Sequence, residues 1–113
     1  NLQYGECEDE LCEVERLFGI QILRWEDLDL KNDLESVMAL TSCLDHVVSV
    51  GTAIGSIAPA LGVSTILLTL RNWMLLSQES KYPWFDCVKL LVAVSGESVA
   101  SQLKNVPKLL NAQ

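Results

Sequence analysis

The stretch HVVSVGTAIGSIAPALGVSTILLTL, from His46 to Leu70, contains no formally charged side chain. Its 25 residues would let one continuous helix cross a bilayer. The internal pattern argues for something else. Ser49, Thr52, Ser56, Ser64, Thr65 and Thr69 are spread along it, and Gly51, Gly55, Pro59 and Gly62 interrupt it. HVVSV and STILLTL are short aliphatic and β-branched runs, the pattern of strands covered on both faces. Gly51 and Gly55 bracket a turn, and AIGSIAPALG reads as a short apolar helix closed by Gly62. No aromatic belt or basic cluster flanks the run. It therefore predicts strand, turn, helix and strand inside a layered domain, with no membrane span.

Upstream, NLQYG reads as a short strand entering a glycine turn. In ECEDELCEVERLFG, the residues Cys7, Leu11, Val14, Leu17 and Phe18 recur on one helical face. Acidic residues fill its first turn, where the helix dipole favours them, and Gly19 is placed to cap its end. IQILRW is strand-like and DLDLKND a polar loop. Asn32 and Glu35 have capping-box spacing ahead of a helix carrying Leu34, Val37, Met38, Thr41 and Leu44, which Asp45 ends. Downstream, RNWMLLSQESKYPWFD is an irregular connection with a turn at Tyr82–Pro83, and CVKLLVAV is a last strand. Val99, Leu103, Val106, Leu109 and Leu110 mark an amphipathic helix, kinked or broken at Pro107. The order βαβαβαββα predicts an α/β fold: a three-layer, Rossmann-like domain with a mainly parallel sheet. Residues 1–113 are expected to form that single domain. The opening at Asn1, with no Met and no signal-peptide pattern, leads us to expect a fragment of a longer protein.

Composition narrows the function classes. Half of the 113 residues are apolar, enough for a packed core. Eight Lys and Arg against fifteen Asp and Glu give a net charge of −7, which argues against a nucleic-acid-binding surface. A single nucleotide stays open, because backbone N–H groups can hold phosphate. Cys7, Cys12, Cys43 and Cys87 form no CxxC pair, and the chain has one His, so no metal site is expected. The cysteines read as small apolar fillers in a reducing cytosol, with a Cys7–Cys12 disulfide as the alternative. No catalytic residue is expected either. His46 reads as a sheet-edge residue, and the Glu6–Glu15 acids as a solvated helix face. Trp25 reads as a cover for the sheet edge, while Trp73 and Trp84 are expected to pack the long connection against the sheet.

The glycine turn before the short helix carries the chemistry. A turn leading into a helix presents several N–H groups together at the positive end of the helix dipole, where an anion can sit. Thr52 and Ser56 add hydroxyls. The pattern is neither GxGxxG nor GxxxxGK[ST], and close helix–strand packing also accounts for the glycines.

LDHVVSVGTAIGSIAPALGVSTILL resembles the nucleotide-sugar-binding segment of heptosyltransferase-like glycosyltransferases (family 9 and relatives fused to tetratricopeptide repeats). There a strand ends in Ser-Val-Asp-Thr and a helix begins near Ala-His-Leu-Ala-Gly-Ala-Leu-Gly; here the matching stretches are SVGT and GSIAPALG. RNWMLLSQESKYPWFD resembles the Asp-Trp-Arg-Trp…Ser-Pro-Trp-Tyr-Pro connection, NLQYG the Leu-Gln-x-Gly strand end, and DLDLKNDLESVMALTSCLD the acidic loop and helix that follow. The resemblance implies the C-terminal, donor-binding half of a GT-B glycosyltransferase, not catalytic alone. It puts the nucleotide-sugar phosphates over Gly51, Thr52, Ala53, Ile54, Gly55 and Ser56, with Gln3, Tyr4 and Gly5 closing one side. Asp29 to Asn32 would border the ribose or base. The implied partner is the missing N-terminal domain or a second copy, and no cofactor beyond the nucleotide-sugar donor is implied. Gly51, Ser56, Asn72 and Met74 stand where the family has Asp, His, Asp and Arg. These neutral replacements motivate a second reading, a degenerate domain serving as a protein interaction or scaffold module.

Overall fold

The computed structural model describes residues 1–112. They divide into two compact units, 1–39 and 40–112.

The first unit holds helix α1 (Glu8–Phe18) and the start of α2 (Leu34–Ser42). Glu8, Asp9 and Glu10 occupy the first turn of α1. Gly19, at φ +62°, ends it by donating its N–H to the Glu15 carbonyl. The expected strands at 1–5 and 20–25 do not form. Asn1 instead exchanges hydrogen bonds with the Gln3 backbone. In IQILRW, the Ile22 N–H goes to the Glu15 carboxylate (2.6 Å) and the Ile22 carbonyl to Arg24 Nη1 (2.8 Å). A residue whose backbone donor and acceptor are both taken by side chains has nothing left for a ladder. The start of α2 is shifted by one residue from expectation: Asp33, not Asn32, caps it, accepting the Ser36 N–H at 3.1 Å.

The second unit is the α/β fold itself. Strands β1 (His46–Val50), β2 (Ser64–Leu70) and β3 (Val88–Ala93) form a wholly parallel sheet in the order β1-β2-β3. Val47 pairs with Thr65 and Val50 with Leu68; on the other side of β2, Thr65 pairs with Val88 and Leu70 with Ala93. Helix α3 (Ala53–Ala60) makes the β1-to-β2 crossover. Gly62, at φ +78°, reverses the chain after it, and the Val63 N–H reaches back to the Ala58 carbonyl. The connection to β3 is irregular, as expected, and opens with a 3₁₀ turn (Trp73–Leu75) that was not. A 3₁₀ segment (Val99–Asn105) leads into α4 (Val106–Leu110). Pro107 does not break this helix as expected: it stands in the first turn of α4, where its missing N–H has no intrahelical acceptor to lose, and the change of helix type precedes it.

Alternation along β2 sorts the core into layers. Leu67 packs with Leu75, Tyr82 and Val88 on one face, where Val47 also meets Ala58 and Val63. Ile66 and Leu68 pack with Val106 on the other. The result is a small Rossmann-like, three-layer unit with α3 and the long connection on one side and the C-terminal helices on the other. The uncharged run is the centre of this unit. Among the described residues, no helix is long and apolar enough to cross a membrane.

Candidate functional site

A cavity of about 260 Å³ opens where β1 and β2 end. That is the carboxyl edge of the parallel strands, the edge at which open α/β sheets bind ligands. Gly51, Thr52, Ala53, Gly55 and Ser56 form one wall, Leu67 and Thr69 of β2 the floor, and Asn72, Met74, Leu75 and Tyr82 the other wall. No Asp, Glu, Lys, Arg or His lines it.

The β1–α3 turn is built tightly. The Val50 carbonyl accepts the Thr52 N–H at 2.7 Å and the Ser49 hydroxyl at 2.9 Å. Thr52 Oγ1 lies 3.1 Å from Ser49 Oγ, so this N-cap residue spends its hydroxyl on the strand end and caps no helical N–H. The first-turn N–H groups of α3 have no intrahelical acceptor. They are left at the positive end of the helix beside the cavity. Gly55 has a different task. A Cβ there would stand 2.6 Å from the Val50 carbonyl oxygen and 3.1 Å from Leu67 Cδ1. The glycine lets α3 approach the sheet, so close packing accounts for it, as the sequence allowed.

Five of the expected residues, Gly51, Thr52, Ala53, Gly55 and Ser56, come together in this wall. Ile54 does not join them; its side chain packs against the Val47, Ala58 and Val63 cluster. Gln3, Tyr4 and Gly5 belong to the first unit. So does Asp29, whose carboxylate accepts the backbone N–H groups of Lys31 and Asn32 and the Asn32 side chain. These bonds, the Asn32 side chain's above all, hold its carboxyl below the usual range. His46 opens β1, at the opposite end of the strand from the cavity.

The far wall escaped a reading from local pattern. Leu75 and Tyr82, 1% and 4% exposed, pack the long connection against the sheet, the role expected of Trp73 and Trp84. Trp84 is half-exposed and ties the connection by donating its indole N–H to the Met74 carbonyl (2.9 Å). Trp73 is 79% exposed and packs against little. Asn72 fixes the base of the 3₁₀ turn: its Nδ2 donates to Thr69 Oγ1 (3.0 Å) and the Leu70 carbonyl (2.9 Å), and its Oδ1 accepts the Met74 N–H (2.9 Å). The local signal that could have found this wall is a polar residue opening a 3₁₀ turn just after a strand.

Cys7 and Cys12 are separate thiols, not a disulfide. Glu8, beside Cys12, helps push its thiol above the usual range, after desolvation as the larger cause. No group of three or more His, Cys, Asp or Glu among the described residues is arranged to hold a metal ion.

Fold and cavity together define a small Rossmann-like α/β unit with a hollow free of charged side chains at its strand ends. The chain is similar to Protein FlbA of Caulobacter vibrioides (strain ATCC 19089 / CIP 103742 / CB 15), 38% identical over 93 residues. That match takes in 81% of this chain and 15% of FlbA, so the chain spans a small part of its curated relative. No family model and no solved structure matches.

Proposed function

We propose that this chain is the donor nucleotide-sugar-binding half of a GT-B-like glycosyltransferase, of the heptosyltransferase-like kind, and that it transfers no sugar alone. The observation that carries the reading is the cavity at the carboxyl ends of β1 and β2, bordered by the uncapped start of α3. Phosphate oxygens are held there by backbone N–H groups and by the Ser56 hydroxyl, not by charged side chains. A complementary N-terminal domain, or a second copy of this chain, supplies the remaining chemistry. A reducing cytosol is the setting that suits the thiols.

The absence of any charged residue from the lining favours a second reading, a domain that has lost donor chemistry and serves as an interaction or scaffold module. Thermal unfolding with ADP, UDP and GDP at millimolar concentration separates the two. On the first reading one nucleotide raises Tm through linkage. Ala53→Asp removes the rise by placing a carboxylate in the cavity wall, while an acid at the first helical position leaves the fold intact. No rise with any nucleotide leaves the scaffold reading. Gly55→Asp does not serve here, because its Cβ alone collides with the Val50 carbonyl.

A further inference from the structure

We propose that the C-terminal segment from Val99 to Leu110 is a strap latched to the sheet by Lys89, and that it swings off as a unit while the sheet stays intact. Its working does not depend on what the cavity binds. The segment is poorly equipped to hold its own shape. Its 3₁₀ part runs for seven residues, though such stretches rarely pass about four, and α4 adds only five. Helices this short are marginal unless packing supports them. That support comes from one apolar strip. Val106 packs on Ile66 and Leu68, with Val99, Leu109 and Leu110 half-buried around it. Of the segment's described residues, Val106 alone is buried.

A polar bond completes the attachment. Lys89 stands in β3 beside Ile66, and its ammonium donates to the Leu109 carbonyl at 2.8 Å, twenty residues on. That carbonyl is among the last of α4, which have no intrahelical donor. A charged donor makes the bond stronger than a neutral one. At its other end the segment joins β3 through an exposed turn from Val94 to Glu97, in which Gly96 takes φ +91°. Hinge and latch thus lie at opposite ends. Opening changes one surface. Val48, Ile66 and Lys89 form one row across the sheet, and Val50, Leu68 and Leu91 the next. Along β1 this face is already bare, with Val48 43% and Val50 48% exposed, whereas Ile66 and Leu68 under the strap are each 2% exposed. Release of the strap extends the bare apolar face from β1 across β2.

Native-state hydrogen exchange of the 113-residue chain, in urea below the unfolding midpoint, tests this. The Val106 and Asn111 amides, bonded to the Leu103 and Pro107 carbonyls, report the strap, and the Thr65 amide, bonded to the Cys87 carbonyl, reports the sheet. After correction for intrinsic rates, the strap amides are expected to exchange together and about tenfold or more faster than Thr65. Lys89→Met keeps the apolar stem and removes the donor. It should speed the strap amides roughly tenfold further and leave Thr65 unchanged. Lys89→Arg keeps a cationic donor and should hold the strap near its original rate. Protection at Thr65 also certifies that each variant is folded. Strap amides that exchange only in step with Thr65, in the unsubstituted chain or in Lys89→Met, would show one cooperative body and overturn the strap. Strap exchange that ignores Lys89→Met, or a loss that Lys89→Arg does not repair, overturns the latch.

Discussion

The two units satisfy their backbones by different means. In the second, β2 is hydrogen-bonded on both sides to parallel neighbours, and aliphatic side chains such as Ile66 and Leu68 close over it. In the first, one ionic clasp takes up the backbone groups of Ile22. Arg24 forks onto Glu15 (2.9 and 3.0 Å), also reaches Glu8, and donates to the Ile22 carbonyl, while Glu15 takes the Ile22 N–H. Ladders and aliphatic packing are indifferent to mild acid. A carboxylate clasp is not. The same chain thus holds a region that only steric change disturbs and a region that protons can loosen.

Substitutions should separate these two modes. The largest effect is expected from Ile66→Ala, which empties a fully buried position on the central strand. Urea unfolding should show a loss of about 2–5 kcal/mol, from lost transfer energy plus the cavity left behind. A loss well under 1 kcal/mol would mean that the sheet is not the stabilising core.

Gly55→Ala comes next, at about 1–3 kcal/mol, because its methyl group would press on the Val50 carbonyl oxygen and α3 must shift. An unchanged urea midpoint would mean that α3 sits further from β1 than described.

The clasp should answer to pH. Hydrogen bonds from Arg24, then from the Ile22 N–H, lower the Glu15 pKa from 4.5 to about 2. A depressed carboxyl contributes stability that is complete above the unfolded value and is lost as pH falls through the folded one. Hydrogen exchange at Ile22 should therefore speed up as pH drops from about 4.5 towards 2, after correction for intrinsic exchange. Glu15→Gln should abolish that dependence and leave amides in β2 unaffected. Protection at Ile22 that ignores pH in this window would remove the clasp from the account.

Phe18→Ser should do least. Phe18 is 71% exposed, and an unfolding shift under about 0.5 kcal/mol is expected. A larger loss would reveal packing of this ring that the first unit does not display.

These contrasts also explain what could be read from the residues alone. HVVSV, STILLTL and CVKLLVAV are legible as strands because their runs are rich in aliphatic residues and their partners lie close in the chain. IQILRW has a similar composition and failed, since composition does not reveal whether a ladder partner exists. The rival here was Glu15, seven residues back, reaching the Ile22 amide. Asp33 displaced Asn32 as the α2 cap through a one-residue difference in where the chain turns. In the site, the glycine turn was legible and the opposite wall less so. Asn72 and Met74 stood out only through the family resemblance. Leu75 and Tyr82 arrive from an irregular connection whose path no periodicity describes.

The neutrality of the cavity has one more consequence. No Asp, Glu, Lys, Arg or His stands among its lining residues. An anion entering it would trade its water shell for amides and hydroxyls and meet no formal countercharge, so its own charge would stay whole inside the hollow.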